Sequence, residues 1–325
     1  MNLTCQAVCN PSHPFGFPMT TFPIFEVDRD LARNLEQLGT KRKFWFRRPG
    51  ESTEWLFKAE ERNTGEDWAE RIACELCELL GIPHVHYELA VEVPTKTPGV
   101  ICPNIADAPK RLDLGNQLLS EYDETYPRDD GEKYGVRQHT IEAVANAAQK
   151  LDLPDHSFCR DLPSGVRSAV DVFCGYLMLD VLIANQDRHH QNWGAIRARQ
   201  ASLAPTFDHG AALARNEPEE KRKRRLYGPD PRYNVENFAT KARSSLYGRE
   251  TDERVLGTLD AFVAFAERCP VAASAWRERL RLVTREELES IASRVPATRM
   301  TDVARNFTVE LLLINQRRIL ETDFS

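Results

Sequence analysis

A chain of 325 residues, 42% of them hydrophobic and 28% charged, is long enough to bury a substantial core and has the makeup of a soluble enzyme of one bilobal unit or two domains. Its formal net charge of −6 argues against general affinity for nucleic acid, and no apolar run approaches the ~20 residues that span a bilayer. The start of the chain lacks the basic residues and unbroken apolar stretch of a secretory signal, which leaves a cytoplasmic protein as the default.

Residues 1–22 are rich in Pro and Thr, without periodicity, and read as an N-terminal arm. Ile24 to Val27 reads as a short strand. Asp28 to Leu38 reads as a helix carrying Leu31, Leu35 and Leu38 on one side and stopped by Gly39. The turn Gly39-Thr40-Lys41-Arg42-Lys43 then leads into the aromatic strand Phe44-Trp45-Phe46. After Arg48-Pro49-Gly50, a second strand follows at Trp55 to Ala59. A turn of glycine and basic residues can lie over phosphates; it also fits a solvated basic turn, since one glycine falls short of a glycine-rich fingerprint.

Period-2 alternation sends Leu56 and Lys58 to the same face of their strand. A lysine on an apolar face needs a negative partner, because an unpaired buried charge is very costly. Glu70 is the candidate, in the first turns of a predicted helix from Asp67 to Leu80 whose Ala69, Ile72, Ala73, Leu76, Leu79 and Leu80 recur at helical spacing. Thr64 or Asp67 can cap its start, and Gly81 with Pro83 ends it. The bland alternative has Lys58 snorkelling and Glu70 favouring the helix start. Cys74 and Cys77 sit mid-helix with no second pair at zinc spacing; like the other six cysteines they read as reduced thiols of the core.

Tyr87 to Val93 and Gly99 to Cys102 are the next strands, after which helical or loop segments take over at Leu112 to Tyr122, Thr140 to Leu151 and Gly165 to Ala184. The predicted division is therefore an N-lobe over 23–104 and a C-lobe over 105–325. In a bilobal nucleotide enzyme the hinge around Cys102 and Asn104 touches the adenine through backbone groups. The helix from Val166 to Ala184 is apolar on nearly all sides and so belongs in the middle of the larger lobe.

That helix delivers a polar knot, Asn185 to Asn192. Two short runs follow, Trp193 to Ile196 and Leu203 to Phe207, and the second leads into Asp208-His209-Gly210. A carboxylate, an amide five residues later and a second carboxylate after a strand are the equipment for holding a divalent metal on a phosphate chain. Asp187 could orient or deprotonate a hydroxyl, while Asn192 and Asp208 offer hard oxygens suited to magnesium. A polar loop, Asn216 to Tyr233, then carries the basic run Lys221 to Arg225, which could meet nucleic acid, an acidic protein or a phosphate, or simply be solvated. Four helices, Phe262 to Cys269, Val271 to Val283, Arg285 to Val295 and Val303 to Leu320, complete the chain.

NQDRHHQNWG followed by APTFDHG, with WLFKAE and the WAERIACELCELLGI helix upstream, resembles the HipA-like serine/threonine kinases, an atypical branch shared with the phosphatidylinositol kinases. The likeness runs over about residues 35 to 320. It implies an α+β, bilobal protein-kinase-like fold, with a small β-rich N-lobe holding one main helix and a larger, mostly helical C-lobe. It further implies ATP and Mg2+ as cofactors, a protein Ser or Thr as acceptor, Asp187 as the catalytic aspartate with His189 in the same loop, and Asn192 and Asp208 as magnesium ligands. Lys58 matches the phosphate-binding lysine, Glu70 its helix partner, and the turn from Gly39 through Thr40 and Lys41 to Lys43 the nucleotide-covering loop. The chain departs from the family in its short N-terminus, in having Thr40 as the one hydroxyl of that loop, and in His209-Gly210 where kinases commonly have Phe-Gly. An antitoxin partner belongs to some relatives, and the sequence establishes neither that nor toxin behaviour. The alternatives are a lipid or small-molecule kinase of the same fold, a phosphohydrolase using Asp187, His189, His190, Asp208 and His209 as metal ligands, and a non-catalytic binding module.

Overall fold

Alternation along the strands sets the first layer. The structure, a computed structural model, describes residues 20–35, 42–60, 62–127, 131, 133–158 and 161–323. Strands β1 (Ile24–Asp28), β2 (Ala32–Leu35), β3 (Lys43–Arg47), β4 (Glu54–Ala59), β5 (Glu88–Val93) and β6 (Thr97–Pro103) form one mixed sheet in the order β1-β5-β6-β4-β3-β2. β1 runs parallel to β5 and the other neighbours pair antiparallel. Phe44, Phe46, Phe57, Ala59, Ala90 and Ile101 pack on one face. Leu56, Leu89, Val100 and Cys102 join the core on the other, against helix α1 (Glu66–Leu80). The alternation of β4 thus sends Lys58 to the helix side, as its spacing predicts.

α1 buries Trp68, Ala69, Ile72, Ala73, Leu76 and Leu80, and it ends at Gly81, whose φ of +70° takes the left-handed cap that glycine adopts without strain. Its start differs from the expectation. Neither Thr64 nor Asp67 caps it; Gly65 is the N-cap, and the buried Glu60 carboxylate accepts from Glu66 N at 2.5 Å and from Arg62 N and Thr64 N.

The helix expected over Asp28 to Leu38 is corrected over residues 28–35, residues 36–38 lying outside the described ones. Asp28 accepts from Asp30 N, closing a short 3-10 turn over Arg29–Leu31, and β2 then pairs with β3 along Phe44 to Phe46. The leucine spacing imitates a helix face, but Leu31 is exposed, and the open sheet edge along β3 rewards a strand instead.

The C-terminal part is mostly helical. It holds β7 (Arg111–Leu114), α2 (Gly115–Tyr122), α3 (Ile141–Ala148), α4 (Ala169–Leu182), β8 (Gly194–Arg197), β9 (Ala201–Leu203), α5 (Glu219–Tyr227), α6 (Val235–Ala239), α7 (Thr258–Ala266), α8 (Pro270–Arg281), α9 (Arg285–Ser293) and α10 (Asp302–Glu321). The segment expected as helix or loop from Leu112 opens instead as β7, because Leu112 and Asp113 pair with Ile196 and Ala195 in a second, three-stranded sheet. α4 begins at a capping box, Ser168 Oγ accepting from Asp171 N while Asp171 Oδ2 accepts from Ser168 N, and is buried all round. A single apolar core runs from α1 through α4 to α7 and α8.

The basic run is also corrected: Lys221 to Arg225 lies within α5 rather than in a loop. Arg222 is buried and donates to the carbonyls of Ala214 and Arg215, Arg225 pairs with Glu217 at 2.8 Å, and Lys223 pairs with Glu220. Internal partners therefore occupy much of its charge. No helix among the described residues is long and apolar enough to cross a membrane.

Candidate active site

Four elements converge on the amine of Lys58. From β4 its Nζ lies 3.7 Å from Glu70 Oε1 on α1, 3.3 Å from Asp208 Oδ1 and 3.1 Å from the Tyr87 hydroxyl just before β5. Burial alone would push the Lys58 amine down; Asp208, Tyr87 and Glu70 together outweigh it and hold the amine well above the usual lysine value, so it stays a cation. Glu70 is pinned from its other oxygen, which accepts from His209 N at 2.8 Å. Asp208 has φ +61°, a strained backbone for a non-glycine residue and of the kind that collects at functional sites. Its N–H reaches the Tyr87 oxygen at 3.4 Å.

His209 faces inward, where a kinase's Phe would be expected. It is buried, its Nε2 lies 2.8 Å from Thr206 Oγ1, and burial, with Arg188 adding to it, keeps its ring neutral by moving the pKa well below the usual range. Thr206 and the His84 segment form a short parallel bridge, so the approach to Asp208 is tied by backbone to the chain entering β5.

The second half of the site is built at the end of α4. Arg188 makes a bidentate pair with Asp180, Nε to Oδ2 and Nη2 to Oδ1 both at 2.8 Å, and its Nη1 donates to the Asn192 carbonyl at 2.9 Å. Asn185 Nδ2 also donates to Asp180, at 2.7 Å, while Asn185 Oδ1 accepts from Asp187 N. The knot is thus strung on one buried carboxylate of α4. Asn192 Nδ2 donates to both the carbonyl oxygen of Asp187, at 2.7 Å, and its Oδ2, at 3.2 Å. With the nitrogen end of that amide committed, the other end is an oxygen.

His189 Nδ1 accepts from Gln191 N at 3.1 Å, which places the ring proton on Nε2, 3.7 Å from Asp187 Oδ1. Burial, with Lys133 adding to it, lowers the His189 pKa to about 4. The Tyr134 hydroxyl donates to Asp187 Oδ1.

These residues line one cleft of ≈ 1150 Å³, which Lys43, Lys58, Glu70, Asp187, Asn192 and Asp208 share. His189 lines it as well. Gly39, Thr40 and Lys41 lie outside the described residues. Cys102 is buried beside the group, its thiol in electrostatic reach of Lys58, Glu70 and Asp208, and the Asn104 N–H donates to Glu54 O at 2.8 Å. Sequence reasoning missed Tyr87, Tyr134 and the Asp180–Arg188 pair. Only the last had a signal, an acid one turn before the end of an apolar helix.

Asn192 and Asp208 give a donor set of hard oxygens, which fits a magnesium ion and not a soft metal. His190 and His209 do not join them, and His189 turns its Nε2 toward Asp187. His190 is buried, its Nδ1 2.9 Å from the Tyr126 hydroxyl, and His209 is engaged with Thr206.

A scan against protein-family models finds no match, and neither does a search of the curated proteins. Solved structures do match. The chain is similar to the Helicobacter pylori proinflammatory kinase CtkA, with a TM-score of 0.68 and 16% identity over 93% of this chain and 100% of that one. It is also similar to HipA of Shewanella oneidensis MR-1, solved with HipB and operator DNA as a toxin–antitoxin system, with a TM-score of 0.53 and 10% identity over 89% of this chain and 67% of that one. The α+β architecture, with a mixed sheet and one main helix followed by a helical C-terminal part, is a kinase-like fold that the chain shares with these two structures.

Proposed function

We propose that the chain is an ATP- and magnesium-dependent kinase that phosphorylates a Ser or Thr hydroxyl of a protein. The observation that carries this reading is the meeting of Lys58, Glu70 and Asp208 with Asp187 and Asn192 in one cleft. On this reading residues 23–104 and 105–325 are lobes closing on the nucleotide. Lys58, held by Glu70, neutralises phosphate oxygens, and Lys43 adds a second cation at the cleft wall. Asn192 and Asp208 would hold magnesium, which supplies charge neutralisation on the phosphates when bound. Asp187 orients the acceptor hydroxyl and takes its proton as the new P–O bond forms and the bond to the nucleoside diphosphate breaks. His189 acts through Asp187 as a positioning residue, aiming Nε2–H at the carboxylate. Cys102 and Asn104, at the boundary between the lobes, would meet the adenine through backbone groups.

The experiment is incubation with radiolabelled ATP and a cell lysate, beside single variants. Asp187→Asn and Asp208→Asn are each expected to lower transfer by at least roughly 10²-fold, the scale of losing a charge contact made in the transition state, while Lys58→Met chiefly weakens nucleotide binding. Near-normal transfer in either aspartate variant would refute its assigned role. Label appearing in lipid rather than protein would refute the acceptor class.

A further inference from the structure

One turn along α1 from Glu70 stands Cys74, and the segment entering β5 brings His84 and His86 to it. The ligand atoms of the three all lie within 4.8 Å of one another, the one such group of three among the described residues. Each histidine is held at its far nitrogen. His84 Nδ1 lies 2.8 Å from the Ile82 carbonyl oxygen, which can only accept, so the proton of the neutral ring sits on Nδ1 and Nε2 keeps its lone pair. That Nε2 is buried without a hydrogen-bond partner, with Glu78 Oε1 3.5 Å away. His86 Nε2 lies 2.8 Å from Glu88 Oε1, which turns its Nδ1 toward Cys74 Sγ at 3.7 Å. The sulfur receives N–H groups from Arg71 Nη1 and Tyr87 N, both at 3.5 Å.

A carbonyl and a carboxylate behind two histidines, fixing which nitrogen faces inward, are the outer-sphere arrangement of a metal centre. Zinc bond lengths put a thiolate sulfur and an imidazole nitrogen about 3.5 Å apart, and Cys74 and His86 already stand near that distance. We propose that Cys74, His84 and His86 bind a zinc-class divalent cation, with any proton on the thiol or on the two inward ring nitrogens lost to solvent and the fourth position open on the Glu78 side. His86 is half-exposed, which gives an entry path. The expectation that Cys74 and Cys77 are both plain core thiols is thereby revised for Cys74 and kept for Cys77, which is fully buried. The bound cation ties α1 to the segment bearing Tyr87, whose hydroxyl receives both Lys58 Nζ and Asp208 N.

The test takes the full chain, stripped with a chelator and reloaded with Zn2+ alone or with Co2+ as a spectroscopic probe. The expected result is one tightly held zinc per chain after dialysis, a melting temperature raised by Zn2+, and a thiolate-to-cobalt charge-transfer band. His86→Ala, at the exposed end of the site, is expected to lose all three with its circular dichroism unchanged, and Cys74→Ser to lose the cobalt band. Glu88→Gln should weaken zinc binding by about 10–100-fold. Failure of the wild-type chain to hold zinc, a cobalt spectrum without the sulfur band, or zinc retention and melting shifts undiminished in His86→Ala would each overturn the assignment. None of these readouts depends on phosphate transfer.

Discussion

Arg188→Met isolates the pair that organises the knot. The Asp180 carboxylate, on α4 and 5% exposed, takes two charge-assisted bonds from Arg188 and one from Asn185. Methionine fills much of the volume but removes both charged donors, together with the donor to Asn192 O. Breaking a buried ion pair by deleting one partner costs ~3–5 kcal/mol, because the remaining charge has no counter-charge and no water and keeps the Asn185 amide as its hydrogen-bond donor. Unfolding entropy scales with length to roughly 0.7 kcal/mol per degree for this chain, so the expected fall in melting temperature is about 4–7 °C.

A second substitution checks the cause. Asp180→Asn by itself also breaks the pair, yet placed on Arg188→Met it removes the stranded charge and keeps an oxygen for Asn185. The double variant should therefore be more stable than Arg188→Met alone, by about 1–3 kcal/mol in urea denaturation. A melting shift under about 1 °C for Arg188→Met, or a double variant no more stable than that single one, would refute the account of Asp180 as the anchor of the loop.

Tyr134→Phe frees the oxygen of Asp187 that the tyrosine hydroxyl occupies, and because Tyr134 is largely exposed the gain is small. Transfer to an acceptor should rise by at most about tenfold, chiefly through a lower KM; a steep loss would make Tyr134 a participant instead. For Asp67, burial raises the carboxyl pKa to about 6 despite the Arg299 contact at 2.9 Å. The folded chain thus binds this proton more tightly than the unfolded one. Its stabilisation is complete below about pH 4 and lost as the pH rises through about 6, so Asp67→Asn should flatten the melting-temperature profile across that window. Gly65→Ala puts a Cβ 1.8 Å from Trp68 Nε1 at a φ of +93°, whereas Gly50→Ala, at φ +83°, meets nothing within 4 Å. Both strain the backbone, but the urea midpoint should fall clearly further for Gly65→Ala.

Much of this architecture is legible because local pattern and tertiary demand agree. β4 divides Leu56 and Lys58 from Phe57 and Ala59 by its period of two, α1 carries a helical stripe between a glycine start and a glycine stop, and α4 is too apolar to lie anywhere but the centre. Where they disagree, the sequence misleads. Residues 29–35 carry helical leucine spacing but follow an Asx turn to an open sheet edge. Lys221 to Arg225 reads as a loop because each charge is counted alone; Lys221, Lys223 and Arg224 are indeed exposed, but the buried Arg222 and the Arg225–Glu217 pair are visible only once Pro218 starts a helix. The grouping of Cys74 with His84 and His86 has no signal of the kind read in sequence, because zinc spacing is sought between cysteines, whereas the two histidines arrive ten and twelve residues after Cys74, across the turn that ends α1.

The lysine at the centre of the cleft is held by two carboxylates of unequal freedom. Glu70 is buried and bound at its second oxygen by a backbone N–H, whereas Asp208 is about one-third exposed and sits on a strained backbone. A charge placed in the cleft can therefore draw on Asp208 far more cheaply than on Glu70. Glu70 acts as the fixed tether, setting where the amine points, and Asp208 as the partner able to turn toward a newly arrived cation. That division assigns opposite consequences to two similar substitutions. Glu70→Gln should displace Lys58 and weaken nucleotide binding with or without metal, while Asp208→Asn should leave metal-free nucleotide binding nearly intact and abolish its enhancement by magnesium. Equal losses for the two variants in metal-free titrations would show that the carboxylates are interchangeable and that the asymmetry has no functional weight.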